Sequence, residues 1–470
     1  MSFGAGLLAP HLSRGSRLSI SSIRLILVTA IRATDILVIA TTGLLAAWFR
    51  FDRGQVPDVI LVSLCIGALL AANILPLCRV YRLQNLVELR RQLPRLLLGW
   101  LVTLGAVVGT LYVGHSAHEA SRLWVGYWLV AGAAGLVLCR LGLWVKLTRG
   151  SLNAIRYRLA VIGPSETVAQ CIEGLLRQDP HAQVKMTLGL TEGAPAGSSA
   201  LDTLERRLAA WEVDRVLLAT ERLAPELASV VERLSHFAVE VAWVPQLPAN
   251  MPGAAKEQIF VPLLERPIDG WSYVAKTMLD RILAAAGLIV LSPVLLLIAA
   301  LIKSTSRGPV FYRQKRAGFN HEIITIYKFR TMHAEHCDGP DAVQTRQVTR
   351  HDERITPLGR FLRHTSLDEL PQLINVLVGE MSLVGPRPHA LPHDELYNRI
   401  IKKYYIRCRV VPGITGWAQI NGLRGETDTI DKMEKRIEHD IYYINHWSLI
   451  FDLQIILRTF VCGFMHPQAR

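Results

Sequence analysis

The sequence has no Cys-x-x-Cys pair among its seven cysteines and no zinc-finger spacing. A structural zinc site of the usual kind is therefore excluded. Cys65, Cys78 and Cys139 stand inside apolar runs, where a thiol behaves as a small buried hydrophobe in a reducing compartment. Residues 1–23 contain no uninterrupted apolar stretch and no small-residue cleavage site, so a cleaved signal peptide is not expected. Acidic residues are in deficit: 39 Asp and Glu face 52 Lys and Arg, a net charge of +13. That balance suits either nucleic acid, or anionic lipid and phosphate-bearing substrates. No basic recognition helix is present and the cations flank apolar runs, so membrane and phosphate are expected and nucleic acid is not. Charge is scarce overall, at 19% of residues against 50% apolar. With a mean hydropathy of +0.27, the chain is too apolar for an ordinary soluble enzyme of this length.

What is present begins with four apolar runs, near 34–49, 57–78, 96–114 and 123–145. Each is about long enough to cross a hydrocarbon core of roughly 30 Å at about 1.5 Å per residue. Arg and Lys cluster before the first run, between the second and third, and after the fourth. The positive-inside rule then puts both ends of a four-helix transmembrane bundle (residues 1–150) in the cytoplasm.

Residues 151–250 turn polar and alternate. Arg158–Gly163, Val184–Leu190, Val216–Ala219 and Val239–Val244 read as strands, with helices over Glu166–Arg177, Leu201–Trp211 and Pro225–Leu234. Strand–helix alternation implies a parallel sheet, here a Rossmann-like α/β module. Its first turn, Gly163-Pro164-Ser165-Glu166, carries a single glycine and suits a phosphate cradle poorly. A regulatory or scaffolding module is the expectation. Pro245–Gly270 reads as a loop.

A fifth apolar run, Ile282–Ile302, follows within residues 251–304. Ser292-Pro293 interrupts it and both flanks are basic. A mid-helix proline removes a hydrogen bond, and basic flanks assign both ends to one side. A re-entrant membrane helix, broken at Ser292 and Pro293, is predicted, with a simple fifth span as the alternative.

Residues 305–470 read as a mainly helical α/β catalytic domain. Ser366 and Glu369 have capping-box spacing, Leu370, Leu373, Ile374 and Leu377 recur at helical spacing, and Gly379 ends the run. Asp368 and Glu369 are thus predicted in a helix first turn. Spacing alone leaves open whether they merely favour the positive helix end or do chemistry there. A carboxylate can attack phosphorus, a neighbour can hold Mg²⁺, and cations must absorb developing charge. The candidate phosphate-binding cations are Arg316, Lys328, Arg330, Arg354, Arg363 and Arg387, the last between two prolines. His333, His336, Cys337 and Asp338 have irregular spacing and read as a surface loop rather than a metal site.

Several of these motifs together resemble the bacterial sugar transferase family, the monotopic phosphoglycosyl transferases. They are Lys328-Phe329-Arg330-Thr331-Met332, Ser366–Gln372, Met381–Pro388 and Pro412–Gly422. The tail, with Gly425-Glu426-Thr427-Asp428-Thr429 and His439–Tyr443, is most similar to members that use glucose. The resemblance implies UDP-sugar and undecaprenyl phosphate as substrates and Asp368 as nucleophile. It implies Glu369 as ligand of a Mg²⁺ cofactor, Arg363 and Arg387 on substrate phosphates, and Gln419 and Asn421 on substrate. Galactose-1-phosphate or N-acetylhexosamine-1-phosphate transfer, or a non-catalytic scaffold, are the alternatives. The bacterial inner membrane, a cytoplasmic catalytic face, a homo-oligomer and contacts with polysaccharide assembly proteins complete the expectations.

Overall fold

The computed structural model describes the chain apart from residues 1–17, 52–55, 82–85, 87, 116–120, 149–155, 180–181, 190–197, 222–224, 246–257, 334, 336–351, 424–428 and 466–470. It divides into two compact units, residues 1–157 with 175–182, and residues 158–174 with 183–470.

The first unit holds α1 (Ile20–Arg50), α2 (Asp58–Leu77), α3 (Leu89–Val113) and α4 (Arg122–Lys146). Among the described residues four helices are long and apolar enough to cross a membrane: α2, α3, α4 and one helix of the second unit. Helix α1 is not among them, and it carries Arg24, Arg32 and Asp35 along its length. Tryptophan knits the bundle. The indole N–H of Trp124 donates to Gly43 O at 3.0 Å and that of Trp128 to Ile39 O at 2.9 Å. Gly43 and Gly132 make room: a Cβ at either would run into Trp128 or Trp100, the small-residue packing that apolar helices use.

The second unit opens on a five-stranded sheet of order β2-β1-β3-β4-β5. The strands are β1 (Arg158–Gly163), β2 (Gln183–Gly189), β3 (Arg215–Thr220), β4 (Glu240–Pro245) and β5 (Val261–Leu264). The first four run parallel, joined through α5 (Ser165–Gln178), α6 (Ser198–Ala209) and α7 (Pro225–Leu234). Strand β5 pairs antiparallel with β4, in the stretch read from sequence as a loop. It is four residues long and contains Pro262, which a sheet edge tolerates and a sequence pattern conceals. The lone glycine of the first turn serves packing: a Cβ on Gly163 would collide with the Ala219 carbonyl.

Helix α8 (Gly270–Thr305) contains the fifth apolar run and continues through Pro293, so the break predicted at Ser292 and Pro293 is not seen. Proline has no N–H for the carbonyl four residues back, which is that of Ile289. The Ser292 hydroxyl donates to this carbonyl at 2.8 Å, so the Ser-Pro pair repairs its own defect. Both ends of α8 pack on the same α/β scaffold. Ala284 joins Ile324, Ile326, Val376 and Met381, while Ile298 and Ile302 join Phe329 and Leu362. Between them Ile289 and Val290 are 72% and 74% exposed.

The scaffold comprises the antiparallel hairpin β6 (Phe311–Ala317) and β7 (Ile323–Phe329), then α9 (Pro357–His364) and α10 (Gln372–Val378). Short parallel strands β8 (Ser382–Val384) and β9 (Gly413–Thr415) follow, with α11 (Leu391–Ile400) between them. Helices α12 (Trp417–Ile420), α13 (Ile430–Asn445) and α14 (Leu449–Met465) close the unit.

Candidate active site

Asp368 and Glu369 do not open a long helix, and the predicted capping box is absent. They lie in a separate one-turn 3-10 helix, Leu367–Glu369, and Ser366 before it has a left-handed φ of 59° with no side-chain cap bond. The physical reason is competition for the Glu369 carboxylate. Instead of reaching back to the Ser366 N–H, it accepts from Lys328 Nζ at 2.7 Å on Oε1, and from both terminal nitrogens of Arg387. Gly379 does end α10, with φ of 94°.

Each partner is held from behind. Asn375 on α10 donates to Thr325 O at 2.7 Å and accepts from Tyr327 N at 3.1 Å, which fixes the acidic turn against β7 and so against Lys328. The loop of Arg387 hangs on the contact of β8 with β9. Gly385 N donates to Thr415 O and Gly413 N to Pro386 O, both at 2.9 Å. A Cβ on Gly385 or Gly413 would collide with the opposing backbone, so the glycines of the two motifs permit this close approach. Arg316 donates to Pro388 O and, at 2.9 Å, to Gln314 Oε1. Arg407 donates to the Arg387 carbonyl from the other side.

Asp368 and Glu369 are 8% and 9% exposed, yet their surroundings push them apart. Burial and then the neighbouring Glu369 push the Asp368 carboxyl up to about 6, against the pull of Lys328, Arg363 and Arg387. Burial acts on Glu369 in the same sense, but Arg387 and Lys328 outweigh it and hold that carboxyl well below its ordinary value. Among the described residues Asp368 makes no ion pair. Adjacent carboxylates with divergent environments are a recurring mark of divided catalytic roles.

The remaining sequence candidates are placed differently. Arg363, on α9, donates to Thr331 Oγ1 at 2.8 Å, and Asp368 is the leading anion acting on it. Arg330 is turned to the end of α8, donating to Arg307 O at 2.7 Å and to Ser306. Arg354 is chelated by Asp352, with its closest contact at 2.6 Å. Gln419 donates to Ile414 O at 3.2 Å and Asn421 to Trp417 O at 2.8 Å, and no described contact joins either to the acidic pair. His336, Cys337, Asp338 and residues 424–428 lie outside the described residues. Sequence reading missed Asn375 and Arg407. A lone Asn on an apolar helix was a usable signal, whereas Arg407 sits in a basic run that reads as solvated.

Two carboxylates with Lys328, Arg363 and Arg387 acting on them make an arrangement chemically able to receive a phosphate-bearing group. The comparisons sharpen that class. Residues 271–466 match the family described as Bacterial sugar transferase, and residues 76–245 match one described as CoA-binding domain. A UDP-glucose:undecaprenyl-phosphate glucose-1-phosphate transferase of Klebsiella pneumoniae is 36% identical over 405 residues, 83% of this chain and 85% of that protein. Its namesake in Xanthomonas campestris pv. campestris is 35% identical over 471 residues, 92% of each. A UDP-N-acetylgalactosamine-undecaprenyl-phosphate N-acetylgalactosaminephosphotransferase of Aeromonas hydrophila is 34% identical over 255 residues, 53% of this chain and 58% of that protein. The chain belongs to the bacterial sugar transferase family.

Proposed function

We propose that the chain transfers a hexose-1-phosphate, glucose-1-phosphate first, from a UDP-sugar to undecaprenyl phosphate, and so initiates exopolysaccharide or capsule synthesis. The observation that carries this is the unequal pair. Glu369 is neutralised by Lys328 and Arg387, while Asp368 beside it makes no ion pair among the described residues. Asp368 attacks the β-phosphorus of the UDP-sugar, the P–O bond to the α-phosphate breaks, and UMP leaves. A phosphosugar–Asp368 mixed anhydride results. A phosphate oxygen of undecaprenyl phosphate then attacks the same phosphorus, releasing the Asp368 carboxylate and giving undecaprenyl-diphospho-sugar. Covalent catalysis splits one difficult displacement into two. Arg363 and Arg387 absorb the charge that develops on phosphate oxygens.

Among the described residues no group of three His, Cys, Asp or Glu forms a metal cage. Mg²⁺ needs none: it takes one or two carboxylates, waters and substrate phosphates. Glu369 suits that, since among the described residues its Oε2 accepts one hydrogen bond, from Arg387, and a carboxylate oxygen has two lone pairs. Glu369 would hold the ion with the substrate diphosphate, and when bound the ion would neutralise that diphosphate.

Glucose is supported by the names of the relatives matched over most of their length. The Aeromonas relative favours an N-acetylhexosamine as the second reading. Measuring UMP release over a panel of UDP-sugars decides: UDP-glucose is expected to be turned over fastest, and release from none of them would contradict transferase activity. We further read α8 as re-entrant, both ends on the cytoplasmic side of the inner membrane. Its two ends packing on one scaffold and its basic flanks support this. A cysteine placed after Ile302 should label only from the cytoplasmic side, and labelling from outside would contradict it.

A further inference from the structure

The β6–β7 hairpin carries Arg316 and Lys328, and its tip is not free. The tip, Phe319–His321, is a one-turn 3-10 helix in which Asn320 has a φ of 52°. Left-handed backbone is rare outside glycine, and asparagine is among the residues that tolerate it. Asn320 is 2% exposed, and both ends of its amide are used by the five-stranded module. Its Nδ2 donates to Leu208 O at 3.0 Å and its Oδ1 accepts from Ala238 N at 3.0 Å. Those groups lie just before the end of α6 and just before β4, at the edge of the sheet where the parallel strands begin. The next two residues bind there as well. The His321 ring nitrogen Nε2 is 3.0 Å from His236 O, and Glu322 accepts the Trp211 indole N–H at 2.7 Å.

From this tip a continuous series of contacts leads to the acidic pair. Arg316 lies four residues before Asn320 on the same hairpin, bridges Ala390, and donates to the carbonyl of Pro388. Pro388 adjoins Arg387, which holds Glu369. We propose that the five-stranded module is a positioning element for the transferase chemistry. Clamping the hairpin tip through Asn320, it sets Arg316, and through Arg316 the Arg387 loop. The inference rests on the transferase reading above. Asn320, whose amide is taken up by Leu208 O and Ala238 N, is a positioning residue.

Asn320→Gly keeps the left-handed backbone and removes only the two amide bonds, so it separates clamping from backbone strain. The full chain is assayed in lipid nanodiscs with UDP-glucose and undecaprenyl phosphate, following UMP release. Asn320→Gly should lower kcat about five- to tenfold with KM for UDP-glucose within about twofold, the signature of lost transition-state stabilisation. Combined with Arg316→Lys it should be no worse than Arg316→Lys alone, because residues acting in series are not additive. A wild-type kcat in Asn320→Gly, or effects that multiply, would overturn the proposal. If Asn320→Gly does not fold, Trp211→Phe, which keeps the ring and loses the N–H, decides in its place. The same split at smaller size is expected, and unchanged kcat overturns it. An unmodified chain that releases no UMP from any UDP-sugar overturns the transferase reading itself, an outcome distinct from an active wild type with an indifferent Asn320.

Discussion

Asp35 in the four-helix bundle and Glu369 in the catalytic scaffold are both buried carboxylates closed by cations. Asp35 accepts from Arg140 at 2.5 Å and from the Tyr81 hydroxyl at 2.9 Å. Glu369 accepts from Lys328 and Arg387. The two clusters differ in what stands next door. Among the described residues the bundle cluster contains no second acid, whereas Glu369 has beside it Asp368, which makes no ion pair with any of them. A buried pair with no second carboxylate beside it is a structural device, expensive to break from one side. A buried pair with a spare carboxylate is poised for chemistry.

The largest effect is expected at the spare acid. Asp368→Ala should reduce UMP release by about 10⁴-fold or more, as loss of a covalent nucleophile does, measured with and without acceptor lipid. Arg387→Ala comes next. It leaves Glu369 to Lys328 alone and removes a cation from the site, and should lower kcat per folded molecule by roughly 10²–10³-fold. The bundle should respond in the opposite way. Asp35→Ala leaves Arg140 uncompensated and should lower bundle stability by about 3 kcal/mol or more, read as a thermal shift, while kcat per folded molecule stays within twofold.

The pH dependence is subtler. Burial and Glu369 raise Asp368 from 3.8 to about 6. Only the ionised form attacks, so the rate should fall as pH drops through about 6. The stability sign is opposite. A folded-state value above the unfolded one means the folded chain prefers the proton. That stabilisation is full below about 4 and lost by pH rising through about 6. Asp368→Asn, which never ionises, should therefore melt no lower than the parent at pH 7.5. A marked drop would contradict the burial argument.

Much of this was legible in the sequence, and the failures share one cause. The parallel strands were readable because alternation and turn residues are local signals, as at Arg158–Gly163. Helix α7 was read end for end at Pro225–Leu234. The acidic pair and the motif glycines were also identifiable by position. What spacing could not give was the direction of long side chains. Arg330 and Arg354 stand in the right motifs, but the Ser306 region and Asp352 hold them. Ser366 has the right interval for a capping box, but Lys328 and Arg387 claim its partner Glu369. Strand β5 was hidden by Pro262. In each case a tertiary contact overrode a local preference.

The central claim is that Asp368, and not its neighbour, carries the sugar phosphate. The most direct measurement is to quench the full chain with UDP-glucose in the absence of undecaprenyl phosphate and map its peptides by mass spectrometry. A hexose-phosphate on the peptide containing Asp368, released by added undecaprenyl phosphate and absent from Asp368→Asn, is the predicted result. Stoichiometric UMP release with that peptide unmodified, or the adduct on any other residue, would contradict the account.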